Sequence, residues 1–149
     1  MQPLTDLLRQ RLCFQRLFTP DSPMSPVWLA EIARLLPEVR AGRPDLPPPA
    51  NLPPDEERHH LFEALAQCVL SASDGPIVLF IDDAHWADSS TLDWLSYLLN
   101  RAHDRALLLA LAYRPEEAGA DLTRLVADRA ASRVRIPGCG VYHRSNGSR

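Results

Sequence analysis

Apolar residues in the first half of the chain recur at helical spacing, and this pattern predicts three helices. The first covers residues 4–18. The second begins at Ser25-Pro26, where a hydroxyl cap precedes a proline in the first turn, and it ends at Pro37. The third begins at Pro54 and carries acidic residues in its first turn, where the helix dipole favours them. Residues 37–54 are rich in proline, which predicts a connecting loop.

Two continuous apolar runs follow, at residues 77–81 and 106–113. Runs without alternation predict strands that are covered on both faces, as in parallel sheets. A helix that starts with a capping box at Ser90 lies between them, and another covers residues 122–131. Val134 and Ile136 could form a further strand. This order of elements predicts an α/β fold with parallel strands and right-handed crossovers.

Length and composition narrow the class of protein. The chain has 149 residues, enough for one domain. Its formal net charge of −3 gives no sign of the basic surface that typically binds nucleic acid. The apolar runs are much shorter than the roughly 20 residues of a membrane span, and the first residues do not have the pattern of a signal peptide. The cysteines are too far apart for a zinc site or a redox pair. We expect a cytoplasmic protein that does not contact membranes.

The candidate chemistry lies where the two predicted strands end. Asp82 and Asp83 follow the first strand, and Arg114 follows the second. Because ligands in open α/β sheets bind at the carboxyl ends of the strands, these residues should share one rim. Successive strand residues point to opposite faces, so one aspartate could meet a hydrated Mg²⁺ while the other orients or deprotonates a water. Polar residues that merely end a buried strand, and an arginine that caps carbonyls, are the alternatives.

Residues 77–88 read Ile-Val-Leu-Phe-Ile-Asp-Asp-Ala-His-Trp-Ala-Asp, which resembles the Walker B segment of AAA-like STAND ATPases. Such domains occur in large LuxR-type and SARP/BTAD-type bacterial transcriptional regulators, and the resemblance extends over about residues 2–136. It implies a three-layer P-loop NTPase fold of the ASCE class and the ligands ATP and Mg²⁺. It also implies that Asp82 binds Mg²⁺, that Asp83 is the catalytic base that acts on the attacking water, and that Arg114 is a catalytic sensor of the γ-phosphate. Structural roles are predicted for His85 and Trp86, and a helix cap for Asp88.

The resemblance divides the chain into a helical insert and connector at 1–54, a partial ATPase core at 55–136 and a tail at 137–149 that is predicted to be disordered. The P-loop signature G-x-x-x-x-G-K-[ST] is absent, and because there is no lysine all 16 basic residues are arginine. We therefore expect a fragment that starts after the Walker A loop, lacks the P-loop strand, and does not bind ATP tightly or hydrolyse it alone.

The partners expected are ATP in the full-length context, the remaining regulator domains and a second copy of the chain, since the missing strand would leave an apolar sheet edge. An inactive remnant that serves as a scaffold or interaction domain is the alternative. A helicase box is also considered for residues 82–85, but the second strand ends in Ala112-Tyr113-Arg114 instead of the Ser-Ala-Thr signal of helicases.

Overall fold

A computed structural model of the chain describes residue 22 and residues 24–130. The predicted helix at 4–18, the strand at Val134 and Ile136, and the tail at 137–149 lie outside these residues. Within them the chain forms five α-helices, two strands and two short 3₁₀ turns. In order these are α1 (Pro26–Leu35), α2 (Pro37–Gly42), α3 (Pro54–Leu70), β1 (Ile77–Ile81), a turn at Ala84–Trp86, α4 (Ser89–Arg101), β2 (Leu107–Leu111), a turn at Pro115–Glu117, and α5 (Ala120–Ala130).

The helix boundaries follow local sequence signals with two exceptions. Ser25 caps α1, and its side chain accepts a hydrogen bond from the backbone of Val27, as the sequence predicts. The connector predicted for residues 37–54 contains the short helix α2, because Pro37 can occupy the first position of a new helix after it ends the previous one. The predicted capping box at Ser90 is wrong, since α4 begins at Ser89 and Asp88 is its cap.

The two strands form a parallel pair in which Ile77 lies opposite Leu107 and Ile81 lies opposite Leu111. Helix α4 makes the crossover between them, so both predicted strands and their parallel arrangement are confirmed. Backbone pairing continues past the strands, where Ala112 N–H donates to the carbonyl of Ile81 and Ala84 N–H donates to that of Ala112, both at 2.9 Å. The chain segments that follow β1 and β2 therefore leave the sheet side by side.

The core lies between the helices and one face of this sheet. Leu79 is buried on that face, and its neighbours two positions away in β1 pack against the same core. Trp94 of α4 is fully buried, and its indole N–H donates to the carbonyl of Phe62 at 3.3 Å. Burying a large apolar side chain contributes roughly 1.5–3 kcal/mol. The core thus fixes α3 and α4 against the strands and holds the strand ends in place.

The opposite face of the sheet is open among the described residues, so the predicted cover on both faces is wrong for this part of the chain. Val78 is 66% exposed, Phe80 is 60% exposed, and Leu108 is also exposed. The continuous apolar runs cannot distinguish the two faces, because every position in them is apolar. Only the packing of the helices shows which face is covered.

A buried carboxylate ties the connector to the helices. Glu31 of α1 is 1% exposed, and its Oε1 accepts a hydrogen bond from Ala50 N–H at 2.9 Å. Arg34 contacts the second oxygen of Glu31 at 3.0 Å, donates to the carbonyl of Ala50 at 2.6 Å, and pairs with Glu57 of α3. The connector is therefore held by specific polar contacts. None of the helices in the described part of the chain is long and apolar enough to cross a membrane.

Candidate functional site

Asp82 and Asp83 follow β1 directly, and both side chains are exposed at the carboxyl end of the strand. Asp83 has a left-handed backbone, with φ 50° and ψ 41°, and it is the one residue other than glycine with positive φ among those described. Its backbone N–H donates a hydrogen bond to Oδ1 of the Asp82 side chain at 3.0 Å. Strand alternation does not extend to the two aspartates, because β1 ends at Ile81. A left-handed turn, and not the pleat of a strand, sets the direction of the chain at Asp83.

Arg114 follows β2 and lies on the same rim as the two aspartates. The backbone hydrogen bonds between Ala84 and Ala112 bring the segment after β1 alongside the segment after β2. After the larger effect of Glu117, the negative charge of Asp83 also helps to raise the pKa of Arg114. The structure thus brings together the three residues that the sequence selects, while their roles remain predictions.

The side chain of Arg114 has a carboxylate partner that the sequence argument missed. Its Nη1 lies 2.8 Å from Oε1 of Glu117, which belongs to the short turn after β2. This hydrogen bond is the main cause that raises the pKa of Arg114 and lowers the pKa of Glu117. The i, i+3 spacing of an arginine and a glutamate was the available signal. It could not be used without knowing that a 3₁₀ turn follows β2.

His85 is the buried member of the site. Its side chain is 0% exposed, and Nδ1 accepts a long hydrogen bond of 3.4 Å from the backbone N–H of Arg114. Nε2 lies 3.3 Å from Glu117 Oε2 and 3.9 Å from Asp83 Oδ1. Neither of these contacts has the alignment of a hydrogen bond, so Nε2 is enclosed without a hydrogen-bond partner. Leaving a buried polar group unsatisfied costs about 1–3 kcal/mol, and such a group is unusual enough to need an explanation.

The comparison with protein families decides the class of this chain. A family model described as AAA ATPase domain matches residues 1–111, which is more than half of the 149 residues. The chain belongs to the AAA ATPase domain family. No curated protein and no solved structure matches it. The match includes Asp82, Asp83 and His85 but ends before Arg114.

Membership in the AAA ATPase family gives the rim its chemical context, because these domains generally use ATP and Mg²⁺. The donor atoms present in this AAA domain suit Mg²⁺, which prefers carboxylate oxygens and keeps several waters. In the described part of the chain no group of three or more His, Cys, Asp or Glu side chains could hold a metal ion.

Two neighbours of the acidic pair in this AAA domain have clear positions. Trp86 is 72% exposed, so the packing role predicted for it is not seen, although its ring lies 5.1 Å from that of His85. Asp88 caps α4 and accepts a hydrogen bond from Thr91 N–H at 2.7 Å, as predicted. The cap fixes the start of α4 and therefore the other end of the loop that carries the aspartates.

Proposed function

We propose that this chain supplies the magnesium and water side of an ATP-hydrolysing module. Asp82 is the carboxylate that holds Mg²⁺ through water, Asp83 orients or deprotonates the attacking water, and Arg114 contacts the γ-phosphate. The observation that carries the proposal is the shared rim, where Ala84 and Ala112 join the two segments after the strands. Membership in the AAA ATPase family supports the choice of ATP as the nucleotide.

The charges of the rim suit these roles. Asp82 and Asp83 are exposed, so both can reach a hydrated ion without the loss of solvation that a buried carboxylate would suffer. Bound Mg²⁺ supplies positive charge that neutralises the phosphate oxygens. A guanidinium holds a phosphate by charge-assisted, forked hydrogen bonds. Arg114 would have to exchange Glu117 for that phosphate, because the two side chains are paired at 2.8 Å.

We propose further that the chain binds ATP only weakly by itself. In P-loop enzymes the phosphates lie in a cradle of backbone N–H groups and are contacted by a lysine. The sequence has neither the signature of that loop nor any lysine. A dissociation constant weaker than about 1 mM, or about −4 kcal/mol, is expected. Isothermal titration calorimetry of the chain with Mg·ATP measures it, and a micromolar value would contradict this part of the proposal.

The magnesium role can be examined with Mn²⁺, which occupies magnesium sites and broadens nearby NMR signals. We expect the backbone amides of residues 82–84 to broaden first in a titration of the labelled chain. Asp82→Asn should remove this selectivity. Asp104→Asn is the matched control, since Asp104 is an exposed aspartate that lies before β2, at the opposite end of the sheet. Broadening that persists in Asp82→Asn, or that centres elsewhere, would refute the assignment.

The wider context belongs to the same proposal. Resemblance to STAND ATPases suggests a module of a cytoplasmic transcriptional regulator, with the remaining regulator domains and a second copy of the chain as partners. The exposed face formed by Val78, Phe80 and Leu108 supports self-association through apolar contact. Analytical ultracentrifugation should detect dimers, and a clean monomer at high concentration would count against this partner.

The second candidate function is a scaffold that no longer hydrolyses nucleotide. The pairing of Arg114 with Glu117 and the absence of a P-loop signature favour it, because both reduce the positive charge available for phosphates. The Mn²⁺ titration separates the two functions. A scaffold has no need of a metal site, so Mn²⁺ broadening that is not centred on residues 82–84 would favour the scaffold.

A further inference from the structure

Three contacts join His85, Arg114 and Glu117 into a closed ring. The backbone N–H of Arg114 donates to His85 Nδ1 at 3.4 Å, and the guanidinium of Arg114 binds Glu117 Oε1 at 2.8 Å. The other oxygen of the same carboxylate lies 3.3 Å from His85 Nε2. The Glu117 carboxylate is therefore shared between an arginine that donates well and a histidine that is not aligned to donate.

The contacts of the imidazole define its tautomer. Because Nδ1 accepts the hydrogen bond from Arg114, the proton of a neutral His85 is on Nε2. That N–H faces Glu117 and Asp83 but has no hydrogen-bond partner. The ring is enclosed, because its side chain is 0% exposed. A carboxylate that shifts toward Nε2 could supply the missing partner.

Glu117 is the side chain that is free to move toward the histidine. It is 40% exposed, and Arg114 is 59% exposed, so solvent surrounds much of both. If Arg114 turns to a phosphate, the carboxylate of Glu117 loses its ion-pair partner and would repel the arriving anion. A hydrogen bond from His85 Nε2–H would hold that carboxylate on the far side and would satisfy the buried donor at the same time.

We propose that His85 is a positioning residue that receives the Glu117 carboxylate when Arg114 leaves it for a phosphate. The inference rests on the proposed function, since it assumes that Arg114 is the phosphate contact. In the ligand-free chain Glu117 holds Arg114, and in the occupied site it is held by His85. This change of partner links the segment after β1, which carries the acidic pair, to the segment after β2.

The switch of Glu117 from Arg114 to His85 can be produced without nucleotide or metal, by removing the competing guanidinium. The chain is labelled with ¹⁵N-histidine, and long-range ¹H–¹⁵N spectra report the tautomer of His85 and the water exchange of its Nε2–H. Arg114→Ala should keep the Nε2–H tautomer and slow this exchange roughly tenfold, which corresponds to about 1.4 kcal/mol for the new hydrogen bond. Arg124→Ala is the matched control, because Arg124 forms an exposed i, i+3 pair with Asp121 in α5. It should leave the exchange unchanged.

A double variant, Arg114→Ala with Glu117→Ala, removes the acceptor and should abolish the slowing. The one-dimensional ¹H signal of the buried indole N–H of Trp94 shows in the same sample that the core remains folded. An Nδ1–H tautomer, exchange that is not slowed by Arg114→Ala, or slowing that survives in the double variant would each overturn the inference. No part of this experiment requires metal or nucleotide. An Mn²⁺ titration without selective broadening, together with slowed water exchange of Nε2–H, would therefore reject the magnesium assignment but support the contact between His85 and Glu117.

Discussion

The left-handed backbone of Asp83 leads to a stability prediction that needs no ligand. A left-handed conformation costs an L-residue about 1–2 kcal/mol, whereas glycine avoids this penalty but loses about 0.5–1 kcal/mol more chain entropy on folding. With φ at 50° and ψ at 41°, Asp83 lies in this region. We therefore expect Asp83→Gly to be more stable than Asp83→Ala by about 1 kcal/mol.

Asp82 provides the control within the same loop, because its φ is not positive. There the order should reverse, with Asp82→Ala more stable than Asp82→Gly by about 0.5–1 kcal/mol. Within each pair the two variants lose the same carboxylate, so each comparison isolates the effect of the backbone. Urea unfolding followed by circular dichroism gives the free energies, provided that the slope m is common to the four variants. If Asp83→Ala equalled or exceeded Asp83→Gly in stability, the left-handed turn would not exist in solution.

Two further predictions concern helix α4. Asp88→Ala should lower the free energy of unfolding by about 1 kcal/mol, because Thr91 N–H loses its hydrogen-bond acceptor. Asp88→Asn can still accept that hydrogen bond and should cost much less. Equal losses of the two variants in urea unfolding would argue against capping. Burial and the hydrogen bond to Glu63 raise the pKa of Tyr97 from 10.0 to about 12. Because the folded pKa is the higher one, this contribution to stability is complete below pH 10 and is lost as the pH rises to about 12. Urea midpoints should fall across this window more steeply in the unmodified chain than in Tyr97→Phe, and parallel profiles would contradict the assignment.

The sequence by itself determined both strands and most of the helices of the described chain, although not α2, and it indicated the rim on which the candidate residues lie. The run at residues 77–81 became a strand with those bounds, and the proline signals at Pro26 and Pro54 mark observed helix starts. These features depend on local sterics and capping, which short stretches of sequence encode. The Asp82-Asp83 pair and Arg114 could be assigned to one rim because parallel strands end at the same edge.

Only the tertiary structure decided how those residues are arranged. It showed that the chain takes a left-handed turn at Asp83, so that strand alternation does not extend to the two acids. It also showed that His85 is buried between Arg114 and Glu117, and that the face with Phe80 is open among the described residues. None of these follows from local pattern, because each depends on which segments the packed core brings together. A continuous apolar strand looks the same on both faces in sequence, and the helices that pack against it make the difference.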